Sequence, residues 1–401
     1  MDFQERFEQV ISAQQKSYDS GRTKALGFRL EMLEKLRKAI LAFEPQITVA
    51  LKKDLGKSEY EVMTTEIGIS LTEIATVKKG LHRWIKPKRV KGNIVNFGSK
   101  STIIPEPYGN TLIIGPWNYP FQLVIAPLIG AIAAGNTAIV KPSELAAHTA
   151  KVVSDLIAAT YPEDYIAVLE GGIPETQVLL GHPFDFIFFT GSPKVGKVVM
   201  KAAAEHLTPV VLELGGKSPC IVDHTAKLEL SAKRILFGKG TNAGQTCIAP
   251  DYLLVHSSVK DAFVAAFIAQ AKKLYGEQGG ESPDFGKIIN DGNFQRVSRL
   301  IGDGKVLYGG KVDAKSRHID ITLLEVSDLK APVMQEEIFG PVLPLLTYDT
   351  IEDIKKFVKA NPNPLACYVF TEDRTFERKV LEQIAFRSEE HTSELQSRHN
   401  L

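Results

Sequence analysis

Two side chains in the sequence are suited to covalent chemistry: Cys247, in GQTCIAPDYLLV (244–255), and Glu213, in VLELGGKSPCIVD (211–223). A thiolate can attack a carbonyl carbon and form a covalent intermediate. A nearby glutamate can then activate the water that releases the product. A lone cysteine is more often a small core hydrophobe. A thiol and a carboxylate, each in a glycine-containing loop, favour a nucleophile and its base. Asn118 adds a third group, because PWNYP (116–120) sets a polar amide inside an apolar run. A buried amide needs hydrogen-bond partners. Asn118 is therefore either a structural turn amide or an oxyanion donor acting with the backbone N–H of Cys247.

Three further runs could hold a ligand. FTGSPKVGK (189–197) follows an apolar strand and opens a helix. Gly191 would permit the tight turn there, and the helix start offers free N–H groups to a phosphate. Its G-S-x-x-x-G spacing is not the usual dinucleotide fingerprint, and an ordinary strand–helix turn fits it equally. KPSE (141–144) ends another strand, where a proline-led helix start would explain it. EEIFGPVLP (336–344) is acidic and aromatic and turns at Gly340 and Pro341, as a capped turn would. The other cysteines, Cys220 and Cys367, begin or lie within apolar strands and read as core. The histidines show no metal-ligand spacing, and no G-x-S-x-G elbow is present.

These motifs, with GPWNYPFQL (115–123), IVKPSE (139–144) and QEEIFGPVLP (335–344), resemble the aldehyde dehydrogenase superfamily, most of all its short, class 3 type. The likeness covers about residues 3–386. It implies oxidation of an aldehyde to the acid with NAD or NADP, through a thiohemiacetal and a thioester on Cys247. It implies that Ser192 contacts the cofactor pyrophosphate and that Gly196 keeps its helix close. Lys141 and Glu144 would take the adenosine ribose hydroxyls, Glu337 the nicotinamide ribose, and Phe339 the nicotinamide ring. Glu213 as base argues against transfer of the acyl group to coenzyme A. The class 3 likeness points to medium- or long-chain aliphatic or aromatic aldehydes and to a homodimer.

The elements that must position these residues follow from periodicity. Residues 2–86 carry apolar positions such as Leu30, Leu33, Leu36, Ile40 and Leu41 at helical spacing. Residues 88–107 alternate apolar and polar around a glycine–serine turn, a hairpin signal; by resemblance this is a ribbon reaching toward a partner subunit. From 111 onward apolar strands alternate with helices, which implies a doubly wound parallel sheet. A second alternating set includes PCIVD, DYLLVHSS and PLACYVFTE. The expected fold class is α/β, with two doubly wound, Rossmann-like lobes and a small β-ribbon arm. The expected domains are 1–87 with 106–210 for cofactor binding, 88–105 for the ribbon, and 211–386 for catalysis.

Residues 387–401 (RSEEHTSELQSRHNL) break this pattern, and RSEEHTSELQS translates one reading frame of a widely used sequencing adapter. The expectation is a non-native tail outside the fold, replacing several dozen family residues. The competing reading is then an inactive, cofactor-binding fragment.

Composition limits the alternatives. With 48 Lys and Arg against 47 Asp and Glu, the net charge of +1 gives no case for nucleic acid. Three cysteines in 401 residues make no disulfide framework, so a reducing, cytoplasmic setting is expected. The most apolar stretch, 111–135, is broken by Pro116, Asn118, Pro120 and Pro127. A membrane span needs about 20 uninterrupted apolar residues, so a buried strand, loop and helix is expected there.

Overall fold

The computed structural model describes residues 2–92, 94–96, 98–277, 280, 282–362, 364–386 and 388–391. The chain divides into two compact units: Met1–Asp54 with Val62–Glu213, and Leu55–Glu61 with the chain from Leu214 onward.

The first unit begins with the expected helices, Phe3–Asp19, Leu26–Ala42, Glu44–Leu55 and Gly68–Trp84. Asp2 starts the first with a capping box, its Oδ1 accepting from Glu5 N at 2.8 Å. Leu33, Leu36 and Ile40 are fully buried, whereas Leu41 is 44% exposed. Leu41 directly follows Ile40, and consecutive helical residues face different directions.

The ribbon is present as β1 (Lys88–Val90) paired antiparallel with β2 (Ser101–Ile103). A five-stranded sheet follows, built from β3 (Asn110–Ile114), β4 (Thr137–Lys141), β5 (Ile166–Val168), β6 (Phe186–Gly191) and β7 (Val210–Leu214), in the order β5-β4-β3-β6-β7. Its β3–β4, β4–β5 and β3–β6 pairs are parallel. Every residue of β3 and β4 is buried, as befits strands covered on both faces. Helices Gln122–Ala134, Ala147–Thr160, Ile173–Leu180 and Pro193–Glu205 make the crossovers. The chain builds outward from β3 to β5, then returns to the other side of β3. That reversal puts a switch point between β3 and β6, and ligands of such sheets bind beyond the strands' carboxyl ends. The apolar stretch 111–135 is a strand, a loop and a 13-residue helix, and no helix among the described residues is long and apolar enough to cross a membrane.

The second unit holds β8 (Pro219–Val222), β9 (Tyr252–His256), β10 (Lys305–Tyr308), β11 (Val312–Asp313), β12 (His318–Ile319), β13 (Thr322–Glu325), β14 (Val342–Tyr348), β15 (Ala366–Phe370) and β16 (Ser388–His391). Its main sheet has the order β10-β13-β14-β9-β8-β15-β16. It is parallel except at one edge, where β10 runs antiparallel to β13. Doubly wound sheets commonly carry such an antiparallel edge strand. The chain comes back from β10 through the small β11–β12 pair, with no helical crossover, and a direct return makes neighbours antiparallel. Adjacent residues face opposite cores: Leu254 and Leu346 lie in one cluster, Leu253 and Leu345 in the other with Phe263 and Phe267.

The sequence-based boundaries shift in three places. The ribbon belongs with the first unit, and the break falls after Glu213 rather than after residue 210. Leu55–Glu61 joins the second unit, because Lys287 N donates to Leu55 O at 2.8 Å and Asn242 N to Glu61 Oε1 at 2.7 Å. The expected exclusion of everything from 387 onward also needs amending. The backbone of Ser388–His391 pairs in parallel with Ala366–Val369. An edge strand offers N–H and C=O groups that pair with any extended backbone, whatever its side chains. Arg387 and residues 392–401 lie outside the described residues.

Candidate active site

In the first unit the candidate residues gather at strand ends. Gly115 follows β3, where a Cβ would lie 2.2 Å from Val124 Cγ2, so only glycine lets the turn pass the next helix this closely. Gly115 N donates to Lys141 O at 3.0 Å, tying the ends of β3 and β4 together. Asn118 sits in this turn and is 4% exposed. The turn is braced from below by Glu66, fully buried, whose Oε2 accepts from Phe121 N at 3.2 Å and Gln122 N at 2.8 Å. A carboxylate at a helix start also meets the positive end of its dipole.

Lys141 ends β4, buried, and donates from Nζ to Glu144 Oε2 at 2.9 Å. Burial pushes the Glu144 carboxyl upward, but the Lys141 hydrogen bond, its own backbone N–H and the Lys141 charge outweigh it, leaving a net downward shift. Glu144 is therefore a charged acceptor facing partly outward. Gly191 is the last residue of β6. Its backbone does not use the left-handed region expected of a tight-turn glycine. What excludes a side chain is the Phe189 ring, 2.6 Å from where its Cβ would be. Ser192 caps helix Pro193–Glu205, its Oγ accepting from Val195 N at 3.4 Å. Gly196 is buried in the same helix between exposed neighbours. Glu213 is an exposed residue of strand β7, not of the loop that the sequence suggested; Gly215 and Gly216 come after it.

The second unit positions Cys247 by unusual backbone. Asn242, Ala243 and Gly244 all have positive φ, at 53°, 51° and 71°. Such geometry costs about 1–2 kcal/mol per non-glycine residue, so it persists only where its surroundings impose it. Gln245 supplies much of that constraint. Fully buried, it donates from Nε2 to Asn242 O at 2.9 Å and Lys287 O at 3.0 Å, and accepts on Oε1 from Ile289 N at 3.0 Å. Ala249 N to Thr246 O, 2.9 Å, then closes the turn around Cys247. Of the three cysteines, Cys247 alone is partly exposed. Burial drives the Cys220 thiol well above its ordinary pKa, which leaves it inert as a nucleophile.

The Glu337 segment packs against this turn. A Cβ on Gly244 would lie 2.3 Å from Gly340 O. Phe339 has φ 50°, a left-handed conformation. Glu337 lies over Gly215, whose Cβ would meet Oε2 at 2.2 Å. Its Oε1 is buried with no hydrogen-bond partner among the described residues. Burial first, and the Asp251 charge second, push its pKa up to about 8, against the pull of the Gly216 backbone N–H, Lys239 and Lys217. Lys239 is fully buried, its Nζ likewise lacks a partner, and burial lowers its pKa to about 8. Lys217 and Asp251 form a buried pair at 2.5 Å beside them.

Cys247, Glu337 and Phe339 thus share one unit; Asn118, Lys141, Glu144, Gly191, Ser192, Gly196 and Glu213 share the other. Sequence reasoning missed Glu66, Gln245, Lys217, Lys239 and Asp251. Lys217 and Asp251 lie inside the quoted motifs, and a lysine abutting an apolar strand was a usable signal. Glu66 and Lys239, lone charges on helical turns, gave none.

The chain as a whole is similar to known proteins of one family. Residues 3–388 match the model of the aldehyde dehydrogenase family. The chain is 49% identical to 4,4'-diaponeurosporen-aldehyde dehydrogenase of Staphylococcus aureus over 381 residues, covering 93% of this chain and 83% of that one. It is 43% identical to a rat aldehyde dehydrogenase described as dimeric and NADP-preferring, covering 93% and 82%. A solved structure, the substrate-bound state of Staphylococcus aureus AldH, superposes with a TM-score of 0.94 at 46% identity, covering 98% of this chain and 86% of that one. The chain belongs to the aldehyde dehydrogenase family and catalyses the NAD(P)-dependent oxidation of an aldehyde to the carboxylic acid.

Proposed function

We propose that Cys247 is the nucleophile of this reaction and that an aliphatic aldehyde of medium or long chain, or an aromatic one, is its substrate. The observation carrying the first part is the partly exposed thiol held on a left-handed backbone platform that Gln245 fixes. The thiolate adds to the aldehyde carbon. The Asn118 amide and the Cys247 backbone N–H donate to the oxygen that gains charge. Glu213 then takes a proton from the water that opens the thioester. An exposed carboxylate at a strand end is free to meet that water.

The residues present suit a nicotinamide dinucleotide, which when bound supplies the hydride acceptor. Ser192 and the first N–H groups of helix Pro193–Glu205 offer donors to a pyrophosphate beside a Gly191 that has no room for a Cβ. Lys141 and Glu144 present a donor and an acceptor to ribose hydroxyls. The unpartnered Glu337 Oε1 suits a second ribose, and Phe339 the nicotinamide ring. The ionised Glu144 disfavours a 2′-phosphate, so NAD is the better fit. The substrate class is supported by the diaponeurosporenal-named relative, and a homodimer by the relative described as dimeric together with the β1–β2 ribbon. A cytoplasmic setting remains the proposal drawn from cysteine usage. The test is to follow NADH formation with aldehydes of rising chain length in wild type and Cys247→Ala. Equal turnover by the two proteins would remove Cys247 from the mechanism, and a preference for short aldehydes would overturn the substrate class.

A further inference from the structure

Lys217 and Asp251 are nearly inaccessible, with side chains 3% and 4% exposed, and they join three loops of the second unit. Lys217 follows the Gly215–Gly216 pair. Asp251 lies four positions beyond Cys247. Besides Asp251 Oδ2 at 2.5 Å, Lys217 Nζ donates to Val333 O at 2.7 Å and Glu336 O at 3.0 Å. The other oxygen, Asp251 Oδ1, accepts from Ile338 N at 3.0 Å. Lys217 Nζ also lies 5.8 Å from the centre of the Tyr252 ring. All donors of the ammonium are thereby used, two of them on carbonyls of the segment that carries Glu337 and Phe339, and both carboxylate oxygens are engaged. A pair placed only for stability has no need to reach three main-chain groups of a single segment. Replacing a buried ion pair by apolar residues of like volume is often neutral or stabilising, so stability alone explains little of this arrangement.

We propose that the Lys217–Asp251 pair is a positioning device: it fixes the Val333–Phe339 segment against the Cys247 turn and so sets how the nicotinamide half of the cofactor meets the thiol. The two residues touch neither substrate nor cofactor; they act through Glu337, Phe339 and the Cys247 loop. The inference rests on the reading of Cys247 as nucleophile and of Glu337 and Phe339 as cofactor contacts. Misplacement by about 1 Å can cost about a hundredfold in rate, so loss of the pair should appear in hydride transfer.

The test is the double variant Lys217→Met/Asp251→Leu of the whole chain, compared with wild type by melting temperature, by Cys247 alkylation with iodoacetamide without cofactor, and by turnover of protiated and 1-deuterated aldehyde. The expected result is a melting temperature and alkylation rate near wild type, a raised KM for NAD(P), and kcat down by about tenfold to a hundredfold with a larger deuterium isotope effect. A double variant with wild-type kcat, KM and isotope effect would overturn the proposal. If the double variant does not fold, Asp251→Asn decides: its amide oxygen can still accept from Ile338 N but no longer balances Lys217. A larger isotope effect there sustains the proposal, and an unchanged one overturns it. Failure of the underlying reading would look different, because Cys247→Ala and Phe339→Ala would then turn over like wild type whatever the pair does.

Discussion

The two units solve the problem of placing reactive groups in opposite ways. In the first, regular geometry suffices. Parallel strands end together, so Asn118, Lys141 and Gly191 arrive near one another simply by following β3, β4 and β6. In the second, the turn bearing Cys247 and the segment bearing Glu337 are irregular. They are held by left-handed residues, a buried amide and four buried or half-buried charges. Topology is a robust support for binding a cofactor, whereas strained backbone and desolvated charge set a single thiol more finely at the expense of stability. The predicted consequence is that substitutions in the second unit's turn act on chemistry, whereas those at Lys141, Glu144, Gly191 and Ser192 in the first unit act mostly on cofactor affinity and selectivity.

The largest expected effect breaks the comparison at its centre. Cys247→Ala should lower turnover by about four orders of magnitude or more, as for other nucleophile deletions, while NAD(P) binding measured by calorimetry survives. Asn118→Ala should lower kcat by about a hundredfold to a thousandfold, the usual cost of one oxyanion donor. That result would mark Asn118, like Glu213, as a residue of the first unit that acts on chemistry. Glu213→Gln should leave a rapid first burst of NADH and slow the following phase by about a hundredfold. Loss of the burst itself would place Glu213 earlier in the reaction.

A smaller effect concerns pH. The Glu337 pKa is raised in the folded chain to about 8, so between its ordinary value near 4.5 and 8 the folded state binds the extra proton. Stability contributed by this proton is full below that window and is lost as pH rises through it, by at most about 1.4 kcal/mol per pH unit. Lys239 has the opposite sign: its pKa is lowered to about 8 from 10.5, so stability recovers as pH climbs through that interval. The charges facing Glu337 are Asp251, Lys217, Lys239 and Arg296. Denaturant melts of Glu337→Gln should show a flatter fall between pH 5 and 8. The smallest effect belongs to the regular side. Glu144→Gln should raise the use of NADP relative to NAD by less than about tenfold, read from the ratio of kcat/KM values, with kcat for NAD nearly unchanged.

The same contrast decides what the sequence could reveal. Strand–helix alternation made the sheet of β3 to β7 and its crossover helices readable as elements, because apolar periodicity is local. The antiparallel β10 edge, the transfer of Leu55–Glu61 to the second unit and the pairing of Ser388–His391 were not readable. Each depends on contacts between distant segments, such as Lys287 N with Leu55 O. Among site residues, those in loops punctuated by glycine or proline stood out. At Gly191 the expected tight turn is not what requires a glycine: steric room beside Phe189 does, and not backbone freedom. Lys239 and Glu66 were silent because one charge on a helix looks solvated until the fold buries it.

The central claim is that catalysis passes through a covalent bond to Cys247. The most direct measurement is intact-protein and peptide mass spectrometry on Glu213→Gln mixed with a medium-chain aldehyde and NAD and quenched in acid after the burst. The account predicts the mass of one acyl group on the peptide containing Cys247 and none on those containing Cys220 or Cys367. Continued NADH formation with no acylated Cys247, or with the acyl group on another residue, would contradict it.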